Sequence, residues 1–289
     1  MYANLNRRAF FQQTLLGSVG FLAGNSLLQA AEEPKRLNEI GLILGVLQKE
    51  MKTDWEGTLR QVAKMGYTHL EFNKYYGESA ASFKNFMKEV GLKSLAGGLS
   101  ISEMKKENLL KKAIDEALFL EKEYMICYWP WPDSGDDKKL DDFKKAADDL
   151  NQVGEVCNRM GIRFAMHNHD KEFVPVKGYQ WGYEVLLKET DPAKVAMQLD
   201  LYWVTKGGGD PIQLLKDYPN RFELFHVKDV DKTPAKSYTC AGYGIIDFKK
   251  IFAQAKKTNI KYYIVEIDKA EYPMNCVQDS ISYLKNLRY

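Results

Sequence analysis

Short apolar segments alternate along this chain with longer amphipathic segments. The short segments have the length of buried strands, whereas the longer ones repeat apolar residues at helical spacing. That helical period is clearest between Leu140 and Cys157. The pattern predicts strands at residues 40–47, 67–71, 92–99, 124–129, 162–167, 195–200, 222–227 and 260–266. It predicts helices at residues 54–65, 102–121, 140–160, 179–188, 211–218, 248–257 and 277–287, and a further helix that ends at residue 90.

Glycines end several of the predicted helices. Gly66, Gly91 and Gly161 each follow a helical segment and precede an apolar strand, which suits the left-handed turn that closes a helix. The strand and helix pairs follow one another without a Ser/Pro-rich linker, which is typical of a single (β/α)8 TIM barrel spanning residues 31–289. A doubly wound open sheet is the competing α/β fold. It would place a glycine-rich turn after its first strand, and the sequence lacks one there.

Residues 1–30 differ from the rest of the chain. They contain no acidic residue, they carry Arg7 and Arg8, and they continue into a short apolar stretch at residues 14–23. With the small residues Ala30 and Ala31 behind it, this arrangement predicts an export signal of the twin-arginine type. A membrane anchor is the alternative, but the apolar stretch is shorter than the ~20 residues that a span needs. We expect an exported, periplasmic protein with no membrane association after signal removal.

Charge and cysteine content exclude some functions. The 41 basic and 39 acidic residues give a formal net charge of +2, and Arg7 and Arg8 account for this excess. A mature chain without them is neutral, so we expect no nucleic-acid partner. The cysteines match no zinc-ribbon spacing, and the sequence is compatible with a disulfide as well as with buried thiols. They are Cys127, Cys157, Cys240 and Cys276.

Several predicted strands end in a histidine or a carboxylate: Glu71, His167, Asp200, His226 and Glu266. In a barrel of parallel strands these ends meet at the face that carries active sites. Mixed imidazole and carboxylate ligation suits zinc or a divalent transition metal and argues against Ca2+. We therefore predict one divalent metal ion, with Mn2+ or Zn2+ favoured, bound by His167, Asp200, His226 and Glu266. The alternative is a set of polar side chains that hydrogen-bond to one another.

Four short motifs resemble those of the xylose isomerase-like barrels, a family that includes sugar phosphate isomerases and epimerases. The motifs are HNHDKEF at residues 167–173, GGDP at 208–211, FHVKD at 225–229 and VE at 265–266. The resemblance implies a small-molecule sugar or keto-sugar substrate and one metal ion held by strands five to eight. The family usually has a glutamate where this chain has His167. This departure favours an asymmetric elimination, dehydration or hydrolysis, for example of a 3-keto-glycoside, over two-glutamate epimerase chemistry.

Further candidate residues surround the predicted metal site. We expect His169, which shares a strand face with His167, to act as an acid or base or to replace it as ligand. Glu71 is expected to accept a substrate hydroxyl or act as a base, with an ion pair to Lys228 as the alternative. Lys228 is expected to stabilise an enolate or alkoxide, and Glu266 to remove a proton. Aromatic rings that could pack on a sugar are Trp129, Trp131, Trp181 and Trp203, although core packing is the default for each.

These observations predict a metal-dependent sugar isomerase, epimerase or related lyase that removes a proton next to a carbonyl polarised by the metal. The three outcomes share this first step, so the sequence does not separate them. A non-catalytic saccharide-binding barrel is an alternative, and a homo-oligomer stays open. A metal-dependent endonuclease-type barrel is disfavoured by the neutral mature charge and by a total of only 4 histidines.

Overall fold

Parallel strands form a closed barrel in the computed structural model, which describes residues 35–132, 135 and 137–289. The strands are β1 (Gly41–Ile43), β2 (His69–Glu71), β3 (Lys93–Ser100), β4 (Tyr124–Trp129), β5 (Arg163–His167), β6 (Ala196–Asp200), β7 (Phe222–Val227) and β8 (Tyr262–Val265). Each strand pairs with its neighbour in chain order, and β1 closes the barrel by pairing with β8. The predicted single (β/α)8 TIM barrel is therefore confirmed. The predicted export signal at residues 1–30 lies outside the described residues.

The two faces of the strands enter different apolar layers. Met166 and Met197 join the larger core beneath the helices, whereas Ala165, Leu224 and Ile264 belong to a smaller core inside the barrel. Successive residues of a strand point to opposite faces, so positions two apart share a face. His167, His226 and Glu266 each lie two residues after one of those interior residues. The interior face of the strands therefore continues into the polar residues of the barrel mouth.

Helices surround the barrel at α1 (Gln48–Thr53), α2 (Trp55–Met65), α3 (Ala80–Glu89), α4 (Ile101–Met104), α5 (Glu107–Phe119), α6 (Leu140–Arg159), α7 (Gly182–Glu189), α8 (Leu201–Lys206), α9 (Pro211–Asp217), α10 (Phe248–Ala255) and α11 (Pro273–Asn286). Aspartates cap several of them. Asp54 accepts a hydrogen bond from Gly57 N at 2.9 Å, and Asp210 accepts one from Ile212 N at 2.8 Å. Pro211 occupies the first turn of α9. The glycines of the GGDP motif therefore lead into the start of this helix.

Two predicted elements differ from the structure. The strand predicted at residues 40–47 ends at Ile43, and a 3-10 helix follows at Leu44–Leu47. The apolar side chains of this 3-10 helix are buried, and a short buried apolar run in a sequence can be either a strand or a helix. The helix predicted at residues 102–121 is divided into α4 and α5. The two helices are separate because the backbone of Lys106 is extended at the start of α5, and α4 has its own capping box, in which Glu103 accepts hydrogen bonds from the Ser100 backbone and hydroxyl.

The segment after β7 carries an antiparallel hairpin made by Asp229–Val230 and Tyr238–Thr239. The Asp229 carboxylate accepts backbone N–H bonds from the hairpin and the loop behind it, at Val230, Gly242, Gly244 and Ile246. A disulfide joins Cys240 to Cys276 at the start of α11, whereas Cys127 and Cys157 are buried free thiols. The structure thus contains both states that the sequence left open, a disulfide and buried thiols. Within the described ranges, no helix has the length and apolarity needed to cross a bilayer.

Candidate metal and active site

The register of the barrel strands brings the predicted site residues together. Asp200 at the end of β6 is the Cα partner of His226 on β7, and His167 at the end of β5 is the partner of Gln198 on β6. Glu266 directly follows β8. All of them lie at the carboxyl ends of the strands, which is the face that carries active sites in TIM barrels.

Three side chains form a group that can hold a metal ion. His167, Asp200 and His226 each offer a ligand atom, these atoms lie within 4.8 Å of one another, and all three residues are buried. His226 Nδ1 is 3.9 Å from Asp200 Oδ2. His226 Nδ1 is buried without a hydrogen-bond partner in the described part of the chain, which is uncommon for a polar atom inside a protein, whereas Asp200 Oδ2 has the Lys228 ammonium at 3.3 Å. A divalent ion would give His226 Nδ1 a partner and could also bind the Asp200 carboxylate, and nitrogen and oxygen donors suit zinc or manganese.

Glu266, the fourth predicted ligand, lies outside this group. Its Oε2 is 2.5 Å from Lys228 Nζ. Burial raises the pKa of Glu266 to about 7, although the Lys228 ammonium opposes that shift. A carboxyl group with this pKa exchanges protons near neutral pH, so Glu266 suits a proton-transfer role, while its role as a metal ligand stays a prediction.

Lys228 is fully buried among acidic side chains. Its Nζ lies 3.3 Å from Asp200 Oδ2 and 2.8 Å from Asp268 Oδ2, in addition to the contact with Glu266. Burial alone would lower the pKa of Lys228, but these carboxylates hold it above its usual value. The ion pair of Lys228 with Glu71 that the sequence offered as an alternative does not form in the described structure, where Glu71 has other partners.

Glu71 contacts the ligand group from the opposite side of the barrel. Its fully buried carboxylate lies 3.0 Å from His226 Nε2 and accepts hydrogen bonds from Tyr128 and Gln198. Burial by itself lowers the pKa of His226, but the Glu71 charge holds it above its usual value. The predicted role of Glu71 as a hydroxyl acceptor or base would require contact with substrate, and its side chain has no exposed surface.

His169 sits at the rim of the group between two tryptophans. Its ring centroid is 4.8 Å from that of His167, and 5.3 Å from each of the Trp129 and Trp203 rings. Its Nδ1 is buried and has no hydrogen-bond partner among the described residues. Burial, followed by the charge of Lys228, lowers the pKa of His169 to about 4. The imidazole is therefore neutral at neutral pH, and one of its ring nitrogens carries a free lone pair.

The predicted aromatic residues divide into two pairs. Trp129 and Trp203 are half-buried and flank His169. Trp131 is buried, packs edge-on against Phe143, and donates its indole N–H to Glu172 at 2.8 Å. Trp181 packs against Phe173 and lines a groove between α7 and α9. The structure thus places Trp129 and Trp203 at the candidate site, whereas Trp131 is a core residue and Trp181 lines a separate groove.

Sequence reasoning missed several residues of the site, among them Gln198, Glu172 and Asp268. Gln198 precedes Asp200 by two positions on β6 and could have been found from strand alternation, because the two share a face. Glu172 lies in the 3-10 turn Asp170–Glu172, where its buried carboxylate accepts the backbone N–H of His169 at 2.6 Å. Its role depends on the conformation of that turn, for which the sequence pattern offers no signal.

The fold and the site together define a TIM barrel with a candidate metal centre at its carboxyl-terminal mouth. Residues 59–287 match the sequence model of the family described as the xylose isomerase-like TIM barrel, and the chain belongs to that family. The family resemblance that the sequence motifs indicated is thereby confirmed.

Related proteins are similar over most of the chain. A sugar phosphate isomerase/epimerase from Parabacteroides distasonis matches with a TM-score of 0.74 and 29% identity, over 92% of this chain and 98% of that one. The probable 3-DHS dehydratase AsbF from Bacillus anthracis matches with a TM-score of 0.67 and 13% identity, over 86% and 99% of the two chains, and shares the fold. An inosose dehydratase from Geobacillus kaustophilus is 22% identical over 241 residues, which is 72% of this chain and 77% of the relative.

Proposed function

We propose that this protein is a metal-dependent enzyme that removes water or an alcohol from a sugar or keto-sugar. The observation that carries the proposal is the group of His167, Asp200 and His226, whose ligand atoms lie within 4.8 Å of one another at the barrel mouth. Similarity to an inosose dehydratase and to a sugar phosphate isomerase/epimerase supports the reaction type and the substrate class. His167 in place of the usual family glutamate supports elimination over epimerisation.

The proposed metal is one divalent ion, Mn2+ or Zn2+ by preference, held by the two imidazoles and the Asp200 carboxylate. When bound, such an ion supplies Lewis acidity that polarises a substrate carbonyl and makes the neighbouring C–H bond more acidic. Lys228 keeps a positive charge at the same mouth and offsets negative charge that develops on the substrate oxygen.

The substrate is proposed to lie against the aromatic rings at the barrel mouth. Trp129 and Trp203 stand on either side of His169 and can pack on the apolar face of a sugar ring. This position directs the carbon next to the carbonyl toward the neutral imidazole of His169.

In the proposed reaction His169 takes the proton from that carbon. The electron pair of the broken C–H bond forms a C=C bond, and the C–O bond one carbon further on breaks. Glu266, whose pKa of about 7 leaves it partly protonated at neutral pH, donates a proton to the departing oxygen. Water or an alcohol leaves, and the reaction needs no oxidant or reductant.

The test uses the purified full chain, first analysed for bound metal and then incubated with inosose and with 3-keto-glycosides in deuterated water. We expect elimination that stops on chelation and returns with Mn2+ or Zn2+. Asp200→Asn should lose the ion, although its side-chain oxygen can still accept the Trp203 backbone N–H at the start of α8. His169→Gln should keep the ion and lose C–H exchange, and Glu266→Gln should keep exchange and lose elimination. Turnover that survives metal removal, or saccharide binding without any turnover, would overturn the proposal.

We also propose that the protein is exported and that residues 1–30 are removed. The disulfide between Cys240 and Cys276 supports this location, because such bonds persist in oxidising compartments. Mass spectrometry of the native protein should find a chain that begins near residue 31, and replacing Arg7 and Arg8 by lysine should block export. An intact amino terminus in the cytoplasm would contradict both statements.

A further inference from the structure

A continuous set of hydrogen bonds links Glu71 to both histidines of the candidate metal site. One carboxylate oxygen of Glu71, Oε1, lies 3.0 Å from His226 Nε2 and accepts the Tyr128 hydroxyl at 2.8 Å. The other oxygen, Oε2, accepts the Gln198 amide nitrogen at 2.7 Å. The Gln198 amide oxygen in turn lies 3.1 Å from His167 Nδ1. One buried side chain on β2 therefore reaches the ligands on β5 and β7.

An ionised carboxylate only accepts hydrogen bonds, and this fixes the direction of each bond. Gln198 must turn its NH2 group toward Glu71, so its oxygen faces His167 and accepts the N–H of Nδ1. His167 then keeps its lone pair on Nε2. His226 donates its Nε2–H to Glu71 and keeps its lone pair on Nδ1, an atom that is buried without a hydrogen-bond partner in the described part of the chain.

We infer that Glu71 is a positioning residue that sets the tautomers of His167 and His226, so that both present a bare nitrogen toward the same centre. The inference rests on the proposed metal site, and it gives Glu71 a different role from the base expected from the sequence. Both of its oxygens are occupied by donors, and the side chain is fully buried. Ligand histidines are commonly oriented by a partner at the second ring nitrogen, but here a single carboxylate serves two of them, one through an amide.

Glu71→Gln tests this role because an amide carries both a donor and an acceptor. If the oxygen of the new amide faces His226, its NH2 faces Gln198, whose own amide must turn over and offer an N–H to His167 Nδ1. His167 then carries its proton on Nε2. If the new amide lies the other way, His226 is forced into the wrong tautomer. Either orientation leaves one histidine unable to bind the ion, so affinity should fall about 10- to 100-fold.

The double variant Glu71→Gln with Gln198→Glu provides the rescue. The amide at position 71 can accept from His226 and donate to the new carboxylate at position 198, which accepts the N–H of His167. Every donor again meets an acceptor, and affinity should return to near the wild-type value. Tyr128→Phe is the matched control, because it removes one hydrogen bond to Glu71 and changes no tautomer. Its affinity should stay close to that of wild type.

The experiment combines competitive titration of Zn2+ and Mn2+ with 15N NMR of the histidine rings in the metal-free protein at alkaline pH, where both imidazoles are neutral. The inference expects His167 protonated at Nδ1 and His226 at Nε2 in wild type, one of them changed in Glu71→Gln, and both restored in the double variant. Opposite wild-type tautomers, or a folded double variant that is no better than Glu71→Gln, would overturn it. The wild-type spectrum decides the matter even if Glu71→Gln does not fold. A wild-type chain that binds no metal would overturn the proposed function. The histidine tautomers would still test the role of Glu71 separately.

Discussion

Lys228 Nζ lies 2.5 Å from Glu266 Oε2 inside the barrel mouth, where the lysine side chain is fully buried. The same ammonium group lies 3.3 Å from Asp200 Oδ2 and 2.8 Å from Asp268 Oδ2. A single buried cation thus faces more than one carboxylate. The negative charge at the mouth is therefore sufficient for a second cation, such as the proposed metal ion, without a further acidic residue.

Lys228→Met should destabilise the metal-free protein by about 3–5 kcal/mol, because removal of one member of a buried ion pair leaves its partners uncompensated. Saturating Zn2+ or Mn2+ should recover part of this loss, since a ligand that binds only the folded state stabilises it. Urea unfolding with and without metal measures both effects. Lys111→Met is the control, because the exposed pair of Lys111 with Asp115 should contribute at most about 1 kcal/mol. Equal losses in the two variants would contradict the prediction.

Glu172 should make stability depend on pH. Burial raises its pKa to about 7 from an ordinary value of 4.5, even though the His169 backbone N–H and the Trp131 indole donate to it. The folded state therefore keeps a proton that the unfolded chain releases. The stabilisation from this group is complete below pH 4.5 and is lost as the pH rises through about 7. At 1.36 kcal/mol per pKa unit, the loss is about 3 kcal/mol.

Urea unfolding of wild type and Glu172→Gln across this pH range measures the effect. The variant loses a hydrogen-bond acceptor and should be less stable at low pH, but its stability should fall less as the pH rises. The difference between the two proteins should change by about 3 kcal/mol across the range. Parallel curves would show that Glu172 is already ionised in the folded protein throughout.

The disulfide should contribute about 3–4 kcal/mol to stability, because Cys240 and Cys276 are 36 residues apart and the cross-link restricts the unfolded chain. Unfolding with and without reductant measures this contribution. Alkylation of the unfolded, unreduced protein should label Cys127 and Cys157 alone, and reduction should expose the other two. Labelling of every cysteine before reduction would refute the pairing.

His167→Glu should alter the type of reaction. An imidazole whose nitrogen binds the ion has lost that lone pair for proton transfer, whereas a carboxylate can still move protons. The variant should therefore retain a metal ion, lose elimination, and gain exchange or epimerisation at the carbon next to the carbonyl. NMR in deuterated water follows both reactions, and His167→Ala controls for loss of the ligand. Efficient interconversion of two epimers by wild type would contradict the asymmetric chemistry.

The sequence by itself determined the barrel and most of the mouth. Strand alternation is a local property. Once these segments form strands, the polar residues two positions beyond Ala165, Leu224 and Ile264 necessarily share the interior face. Parallel strands in a closed barrel end at one face, which placed His167 and His226 at a common site before any distance was known.

Only the tertiary structure decided which of those residues meet. The contacts of Lys228 with Glu266, of Glu71 with Gln198, and of Cys240 with Cys276 join segments far apart in the chain. Their partners depend on register and on packing against distant strands, and no local period encodes either. Trp131 shows the same limit, because an aromatic residue after a strand can line a pocket or fill the core. Its burial against Phe143 was settled by the way α6 packs on the barrel.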